Sequence, residues 1–113
     1  MTETPRPNGP VGLLVVDDEE AIRNALKRFL SGLGYDVITA GTGDEAIQAV
    51  RRHKLACLLL DVRLPDANGV DLVPRLLELE PNAAILMLTA VNDAASATLC
   101  MQRGAMDYLT KPV

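Results

Sequence analysis

The chain has 113 residues, a length typical of one domain, and 49% of them are hydrophobic, which is enough to fill one core. Fifteen acidic and eleven basic residues give a formal net charge of −4 at pH 7. This balance argues against a nucleic-acid backbone as the main partner, and no apolar run approaches the roughly 18 residues of a membrane-spanning helix. We therefore expect a soluble domain without direct contact to nucleic acid or membrane.

The first ten residues and the cysteines indicate the setting of this domain. Residues 1–10 are polar and contain three prolines, which predicts a flexible N-terminal tail. Cys57 and Cys100 lie in apolar surroundings without metal-ligand spacing. Two reduced core thiols, and hence a cytoplasmic location, are the expectation.

The first half of the chain alternates strand and helix patterns. Residues 11–16 form a short, continuous apolar run typical of a strand covered on both faces. A helical stripe follows, which we expect to be buried and to end at Gly32 and Gly34; its members are Ile22, Leu26, Phe29, Leu30 and Leu33. Residues 35–40 predict the next strand, and Thr42 with Glu45 forms a capping box that opens the second helix.

The alternation continues to the end of the chain. Strands are predicted at residues 56–60, 83–88 and 107–110, and helices near residues 70–79 and 92–103. Crossover helices between successive strands imply a parallel sheet with right-handed connections. The predicted class is α/β with a doubly wound sheet.

Two details complicate this prediction. Pro74 falls in the third helix, where it is tolerated in the first turn but produces a kink if the helix begins as early as Ala67. No helix pattern follows the fifth strand, which leaves the face shared with the first helix partly uncovered. We expect that the element covering this face is missing, is swapped between copies or is supplied by a partner.

Polar residues follow the strands at the sheet edge where ligands bind in such folds; they are Asp17, Asp18, Asp61, Thr89 and Lys111. Each has an ordinary explanation when taken singly, as a helix-dipole acid, a turn former, a cap or an exposed lysine. Three carboxylates at one edge would nevertheless repel one another unless a cation lay among them. Oxygen ligands of this kind favour Mg²⁺.

A magnesium ion at this edge would attract a phosphoryl group. Asp61 could then act as a carboxylate nucleophile and form an acyl phosphate. Lys111 could contact the phosphoryl oxygens by charge and Thr89 by its hydroxyl.

Four motifs carry a family resemblance over residues 11–113: "VVDDEE", "LLLDVRLPDANG", "LTA" and "GAMDYLTKP". With these motifs the chain resembles the receiver domains of bacterial two-component response regulators. The resemblance implies a flavodoxin-like sheet of order 2-1-3-4-5. It also implies that Asp61 is the phosphoacceptor and that Mg²⁺ is bound by Asp17, Asp18, Asp61 and the main-chain oxygen of Arg63.

The same resemblance implies a switch and its partners. Thr89 and Lys111 would contact the phosphoryl group, Tyr108 would change rotamer, and the fourth helix with the fifth strand would form the output face. The Lys111–Pro112 bond would be cis, and Arg63 and Val91 would tune the phosphoryl lifetime. Expected partners are a sensor histidine kinase or phosphotransfer protein, an output domain or downstream protein, and a second copy in a homodimer. The chain would not be an enzyme beyond its own phosphorylation and autodephosphorylation.

Some features depart from the family pattern. Asn68 stands where an acid is common, Pro74 interrupts the third helix, and residues 11–113 form a receiver domain without its last helix, as expected of a piece of a longer regulator. Two other functions stay open. The first is a phosphohydrolase with an aspartate nucleophile, but members of that class resemble one another in a second acid two residues after the nucleophile, where this chain has Arg63. The second is a receiver-like interaction module, which would not need all five strand-end residues. His53 beside three basic residues is expected to be a solvated helix-end cation rather than a phosphohistidine.

Overall fold

Five parallel strands and four helices alternate in the computed structural model, which describes residues 10–111. The strands are β1 Gly12–Val16, β2 Asp36–Ala40, β3 Cys57–Asp61, β4 Ala84–Thr89 and β5 Asp107–Thr110. The helices are α1 Glu20–Gly32, α2 Gly43–Arg52, α3 Gly69–Leu79 and α4 Ala94–Gln102. The sheet order is β2-β1-β3-β4-β5 with every pair parallel. The predicted doubly wound α/β fold of order 2-1-3-4-5 is confirmed.

The larger core cluster lies between the sheet and helices α2, α3 and α4. The strands β1, β3 and β4 contribute side chains with no more than 1% exposure; these are Leu14, Val16, Leu58, Leu60, Ile85 and Met87. Because apolar residues occupy consecutive positions in these strands, both faces of the central sheet are hydrophobic.

The opposite face carries a smaller cluster under α1. Val15, Val37, Leu59 and Leu88 are buried there, while Leu26 and Leu30 of α1 are only half-buried. No residue of α1 is fully buried, and Phe29 is 64% exposed. The prediction of a buried α1 stripe is therefore wrong in extent, because α1 packs mainly over β1 and β2. On β5, at the far edge of this face, Leu109 stays 44% exposed.

The predicted helix ends are largely confirmed. The Thr42 hydroxyl accepts a hydrogen bond from the Glu45 N–H at 3.1 Å, while the Glu45 carboxylate accepts one from the Gly41 N–H at 2.7 Å. The capping box thus closes one residue earlier than its usual form. Gly34 has a φ of +102° and follows the end of α1, as expected of a C-cap glycine.

Helix α3 begins with an amide cap and contains a proline. The Asn68 side-chain oxygen accepts from the Val70 N–H at 2.8 Å, so this position caps the helix without an acid. Pro74 lies inside α3, past its first turn, because the helix already begins at Gly69. The Val70 carbonyl therefore lacks the usual partner four residues on.

An aspartate in the loop between β3 and α3 caps a different helix. The Asp66 carboxylate accepts from the Gly43 N–H at 2.7 Å and from the Asp44 N–H at 3.0 Å, at the N-terminus of α2. A Cβ atom at Gly43 would lie 2.8 Å from the Ala67 Cβ, so the close approach of loop and helix requires glycine. These N–H donors lower the pKa of Asp66.

Several other predictions concern the cysteines, His53 and the ends of the chain. Cys57 and Cys100 are free thiols, and burial raises the pKa of each. His53 is exposed at the end of α2. No helix within residues 10–111 is long and apolar enough to cross a membrane. The predicted N-terminal tail, apart from Pro10, and the predicted cis bond before Pro112 lie outside the described residues.

We predict that Asp66→Ala lowers the free energy of unfolding by about 1 kcal/mol at neutral pH, the usual effect of losing a charged helix cap. The folded-state pKa of Asp66 is lowered, so this contribution is present above the unfolded pKa of about 3.9 and is lost as the pH falls through the folded pKa. Urea unfolding at several pH values measures it. Glu78→Ala, at an exposed position of α3, is the control. If the difference in the free energy of unfolding between wild type and Asp66→Ala did not become smaller at acid pH, the assignment of Asp66 as a charged cap of α2 would be contradicted.

Gly69 offers a second test of the loop. A Cβ atom there would lie 2.9 Å from Met87 Cε and 3.0 Å from Val62 Cα. We predict that Gly69→Ala costs about 1 to 3 kcal/mol of stability through overpacking. The matched control is Gly32→Ala in α1, where no atom of residues 10–111 beyond the local helix backbone lies within 4 Å of the added Cβ and the alanine should be neutral or stabilising. Equal urea midpoints for the two variants would disprove the close contact.

Candidate functional site

Two buried aspartates and one lysine form the centre of the carboxyl edge of the sheet. Asp17 follows β1 and Asp61 ends β3, and because these strands are parallel neighbours the two carboxylates lie close together. Asp17 is 0% and Asp61 6% exposed. The Lys111 Nζ lies 2.8 Å from Asp17 Oδ2 and 3.0 Å from Asp61 Oδ2. The structure thus brings three of the predicted site residues into direct contact.

The charges in this cluster shift one another's protonation. Burial raises the pKa of Asp61 and the charge of Asp17 adds to the effect, although hydrogen bonds from Lys111 and the Arg63 N–H act against it. Burial alone would lower the pKa of Lys111, but the carboxylates of Asp17 and Asp61 beside its Nζ outweigh this effect and raise the pKa. Lys111 therefore lies as a cation between two carboxylates, which favour its charged form.

A group of carboxylates suited to a divalent cation lies beside this cluster. Oxygen atoms of Asp17, Asp18 and Glu19 all lie within 4.8 Å of one another, with Asp17 buried and the other two exposed. The Asp17 Oδ2 is buried without a hydrogen-bond partner among the described residues, although Lys111 forms an ion pair with it. A hard divalent cation such as Mg²⁺ fits these oxygen donors.

The predicted ligand set differs from this geometry in two respects. Asp61 lies outside the tight carboxylate group and is joined to Asp17 through Lys111 instead. Glu19, whose Oε1 is 3.6 Å from the Lys111 Nζ, was missed because acids before a helix are already explained by the helix dipole. The roles of Asp17, Asp18, Asp61 and the Arg63 main-chain oxygen as ligands stay predictions.

A cleft of about 300 Å³ opens onto Asp61. Its walls include Asp18, Glu19, Asp61, Arg63, Asp93 and Lys111. The Arg63 N–H donates to Asp61 Oδ1 at 3.2 Å and so orients the carboxylate from the loop that follows β3. A small anionic group entering the cleft would meet the Lys111 ammonium beside Asp61, with three further carboxylates in the walls.

Thr89 is buried at the end of β4, but its hydroxyl does not contact Asp61. It is directed to the backbone oxygens of Ala90 at 3.3 Å and Asp93 at 3.2 Å, distances well above the usual 2.7 to 2.8 Å of O–H···O bonds. The Asp93 side chain accepts from Arg63 Nε at 2.9 Å, a contact that the sequence analysis missed. The structure therefore places Thr89 at the edge of the site with its hydroxyl bound to the β4–α4 loop.

Tyr108 lies on β5 in register with Met87, so its side chain is on the face of the larger core cluster. It is 37% exposed, and Val91 in the β4–α4 loop is 80% exposed. The switch role of Tyr108 and the lifetime role of Val91 stay predictions.

Comparison with known proteins supplies the family. Residues 13–113 match the family described as "Response regulator receiver domain". The chain is 42% identical over 100 residues to the alkaline phosphatase synthesis transcriptional regulatory protein PhoP of Bacillus subtilis, covering 88% of this chain and 42% of that protein. It is 40% identical over 100 residues to the DNA-binding response regulator MtrA of Mycobacterium leprae, with 88% and 44% covered. The chain spans less than half the length of these two relatives.

Solved structures agree with this family. A CheY-like response regulator receiver domain protein from Methanospirillum hungatei superposes with a TM-score of 0.87 at 30% identity, covering 93% of this chain and 84% of that one. A Burkholderia pseudomallei response regulator was solved with a phosphorylated aspartic acid, a calcium ion and citrate. It superposes with a TM-score of 0.86 at 35% identity, covering 91% of this chain and 61% of that one. The fold, the strand-end residues and these matches lead to one conclusion: the chain belongs to the receiver domains of two-component response regulators.

Proposed function

We propose that this chain is a phosphorylation-dependent switch in a two-component phosphorelay and that Asp61 accepts the phosphoryl group. The observation that carries this proposal is the position of Lys111, whose Nζ lies 2.8 and 3.0 Å from two buried carboxylates. A lysine that reaches Asp61 in a cleft is placed to neutralise a phosphoryl oxygen once Asp61 is modified. A purely structural cluster would have no need to open onto a cleft.

The proposed reaction is an in-line transfer to a carboxylate. An oxygen of Asp61 attacks the phosphorus of a phosphohistidine, carried by a sensor histidine kinase or phosphotransfer protein, or of a small acyl phosphate. The new O–P bond forms as the donor's P–N or P–O bond breaks, and the leaving group departs with that electron pair. The Arg63 N–H holds the acceptor carboxylate in place at 3.2 Å, while Lys111 contributes positive charge.

Magnesium is the proposed cofactor. Asp17, Asp18, Asp61 and the main-chain oxygen of Arg63 would hold it, with Glu19 as a further carboxylate beside them. When bound, it would supply positive charge to the phosphoryl oxygens. The surplus of negative charge supports this assignment, because four carboxylates in this region face one ammonium group.

The proposed output is a change in the surface of α4 and β5. A phosphoryl group adds nearly two negative charges, and the Thr89 hydroxyl would leave its long bonds to Ala90 and Asp93 to donate to it. Tyr108 would then change its rotamer. Exposed apolar side chains make this surface suitable for an output domain, a downstream protein or a second copy in a homodimer; they are Leu99, Met101, Met106 and Tyr108.

The proposed activity is limited to phosphorylation and autodephosphorylation of the chain itself. The proposed location is the cytoplasm. Arg63 stands where a phosphohydrolase with an aspartate nucleophile would carry its second acid, and its side chain pairs with Asp93 rather than pointing to Asp61. This contact disfavours the phosphohydrolase alternative.

We predict that wild type gains one phosphoryl mass when incubated with Mg²⁺ and acetyl phosphate, and that Asp61→Asn gains none because the amide is not a nucleophile. Intact mass spectrometry measures both. Asp71→Asn, at an exposed position of α3, is the control and should be labelled like wild type. Label on Asp61→Asn would refute the acceptor assignment, and an unlabelled but folded wild type would favour the interaction module.

Asp18→Asn should weaken Mg²⁺ binding by at least the roughly tenfold to hundredfold seen when supporting residues of metal sites are lost. Titration followed by NMR of the unphosphorylated protein reads binding without any reaction. Glu20→Gln, at the last acid of the same run, is the matched control because Glu20 lies outside the carboxylate group. Equal dissociation constants for Asp18→Asn and wild type would contradict the metal role.

A further inference from the structure

An ion pair joins the two loops that border the Asp61 cleft. Arg63, in the loop after β3, donates through Nε to Asp93 Oδ2 at 2.9 Å, across 30 residues of sequence. Asp93 stands immediately before α4, at the end of the loop that follows β4. Both side chains line the cleft.

Asp93 also holds the hydroxyl of Thr89. Its backbone oxygen accepts from Thr89 Oγ1 at 3.2 Å and from the Ala97 N–H of α4 at 3.3 Å. The side chain of Asp93 is thus ion-paired with Arg63, while its carbonyl accepts a hydrogen bond from Thr89. Asp93, whose carbonyl holds the Thr89 hydroxyl, is therefore linked to Arg63, which lies two positions after Asp61.

We infer that the Arg63–Asp93 ion pair positions Thr89 away from Asp61 in the unphosphorylated chain and so opposes phosphoryl binding. The inference rests on the proposed function of Asp61. Arg63 and Asp93 are positioning residues in this scheme, since they act through Thr89. Loss of either side chain frees the β4–α4 loop and lets the hydroxyl reach a group on Asp61 more often.

The size of the effect follows from exposure. The Arg63 side chain is 71% exposed and that of Asp93 12%, and exposed ion pairs are weak. We expect each single loss to tighten binding of a phosphoryl mimic by about two- to fivefold.

Arg63 could also act by its own charge on an incoming anion, and this alternative predicts the opposite sign, since removal of the cation would weaken binding. A double-mutant cycle separates the two. If the ion pair is the cause, Arg63→Met and Asp93→Asn each tighten binding and the double variant tightens it no further. Arg63→Lys should bind the phosphoryl mimic with an affinity close to that of wild type, because lysine keeps a cation beside Asp93.

The experiment titrates beryllium trifluoride, in the presence of Mg²⁺, into the full chain and follows it by NMR. Wild type, both single variants and the double variant are compared with Asp71→Asn and Arg103→Gln, which break a second exposed ion pair at 3.8 Å away from Thr89. Non-additive tightening confined to the Arg63 and Asp93 variants supports the inference. Unchanged or weaker affinity for Asp93→Asn overturns it.

A second readout needs no phosphoryl mimic. In the free protein, Asp93→Asn and Arg63→Met should shift the Thr89 methyl resonance and speed exchange of its hydroxyl proton, whereas the control variants should not. Unchanged Thr89 signals overturn the inference even where binding is normal. If wild type binds no beryllium trifluoride and accepts no phosphoryl group, the proposed function fails, while the Thr89 signals still report whether the ion pair holds the loop.

Discussion

One ammonium group between two buried carboxylates determines the arrangement of this protein's sheet edge. Asp17 and Asp61 are nearly inaccessible to water, and two such charges side by side are strongly unfavourable without a counter-ion. Lys111 supplies that counter-ion from beyond β5, across the intervening strand β4. The strand order, the packing of β4 against β3 and the end of β5 must therefore all be in place before the two aspartates can be buried together.

The sequence could predict the fold because its local signals agree with the tertiary structure. Continuous apolar runs identified the central strands, and Thr42 and Gly34 marked helix ends through short-range hydrogen bonds and backbone conformation. The extent of α1 burial was missed, since periodicity shows which residues share a face but not whether another element covers it. The position of Pro74 within α3 depended on where the helix begins, which the sequence left open between Ala67 and Val70; the Asn68 cap starts the helix at Gly69.

Part of the site could be predicted because the carboxyl ends of parallel strands meet at one edge of the sheet. That rule brought together Asp17, Asp61 and Lys111 from three separate stretches of chain. Glu19 and Asp93 escaped notice because each has a sufficient local explanation beside a helix, whereas their contacts depend on residues far away in sequence. The direction of the Thr89 hydroxyl could not be predicted either, since its acceptors are backbone oxygens whose positions only the folded loop defines.

The two loops at the sheet edge are attached through hydrogen bonds of different kinds. The loop after β3 is fastened to α2 by the Asp66 carboxylate through short bonds of 2.7 and 3.0 Å from Gly43 and Asp44, with backbones in close contact. The loop after β4 retains Thr89 only through bonds of 3.2 and 3.3 Å. Charge-assisted bonds are about twice as strong as neutral ones, so the Thr89 hydroxyl is held more weakly than the Asp66 carboxylate, although the Arg63–Asp93 ion pair at 2.9 Å also joins the loop after β4 to the loop after β3. The Thr89 hydroxyl can therefore exchange its acceptors at a lower cost than the Asp66 carboxylate can exchange its donors.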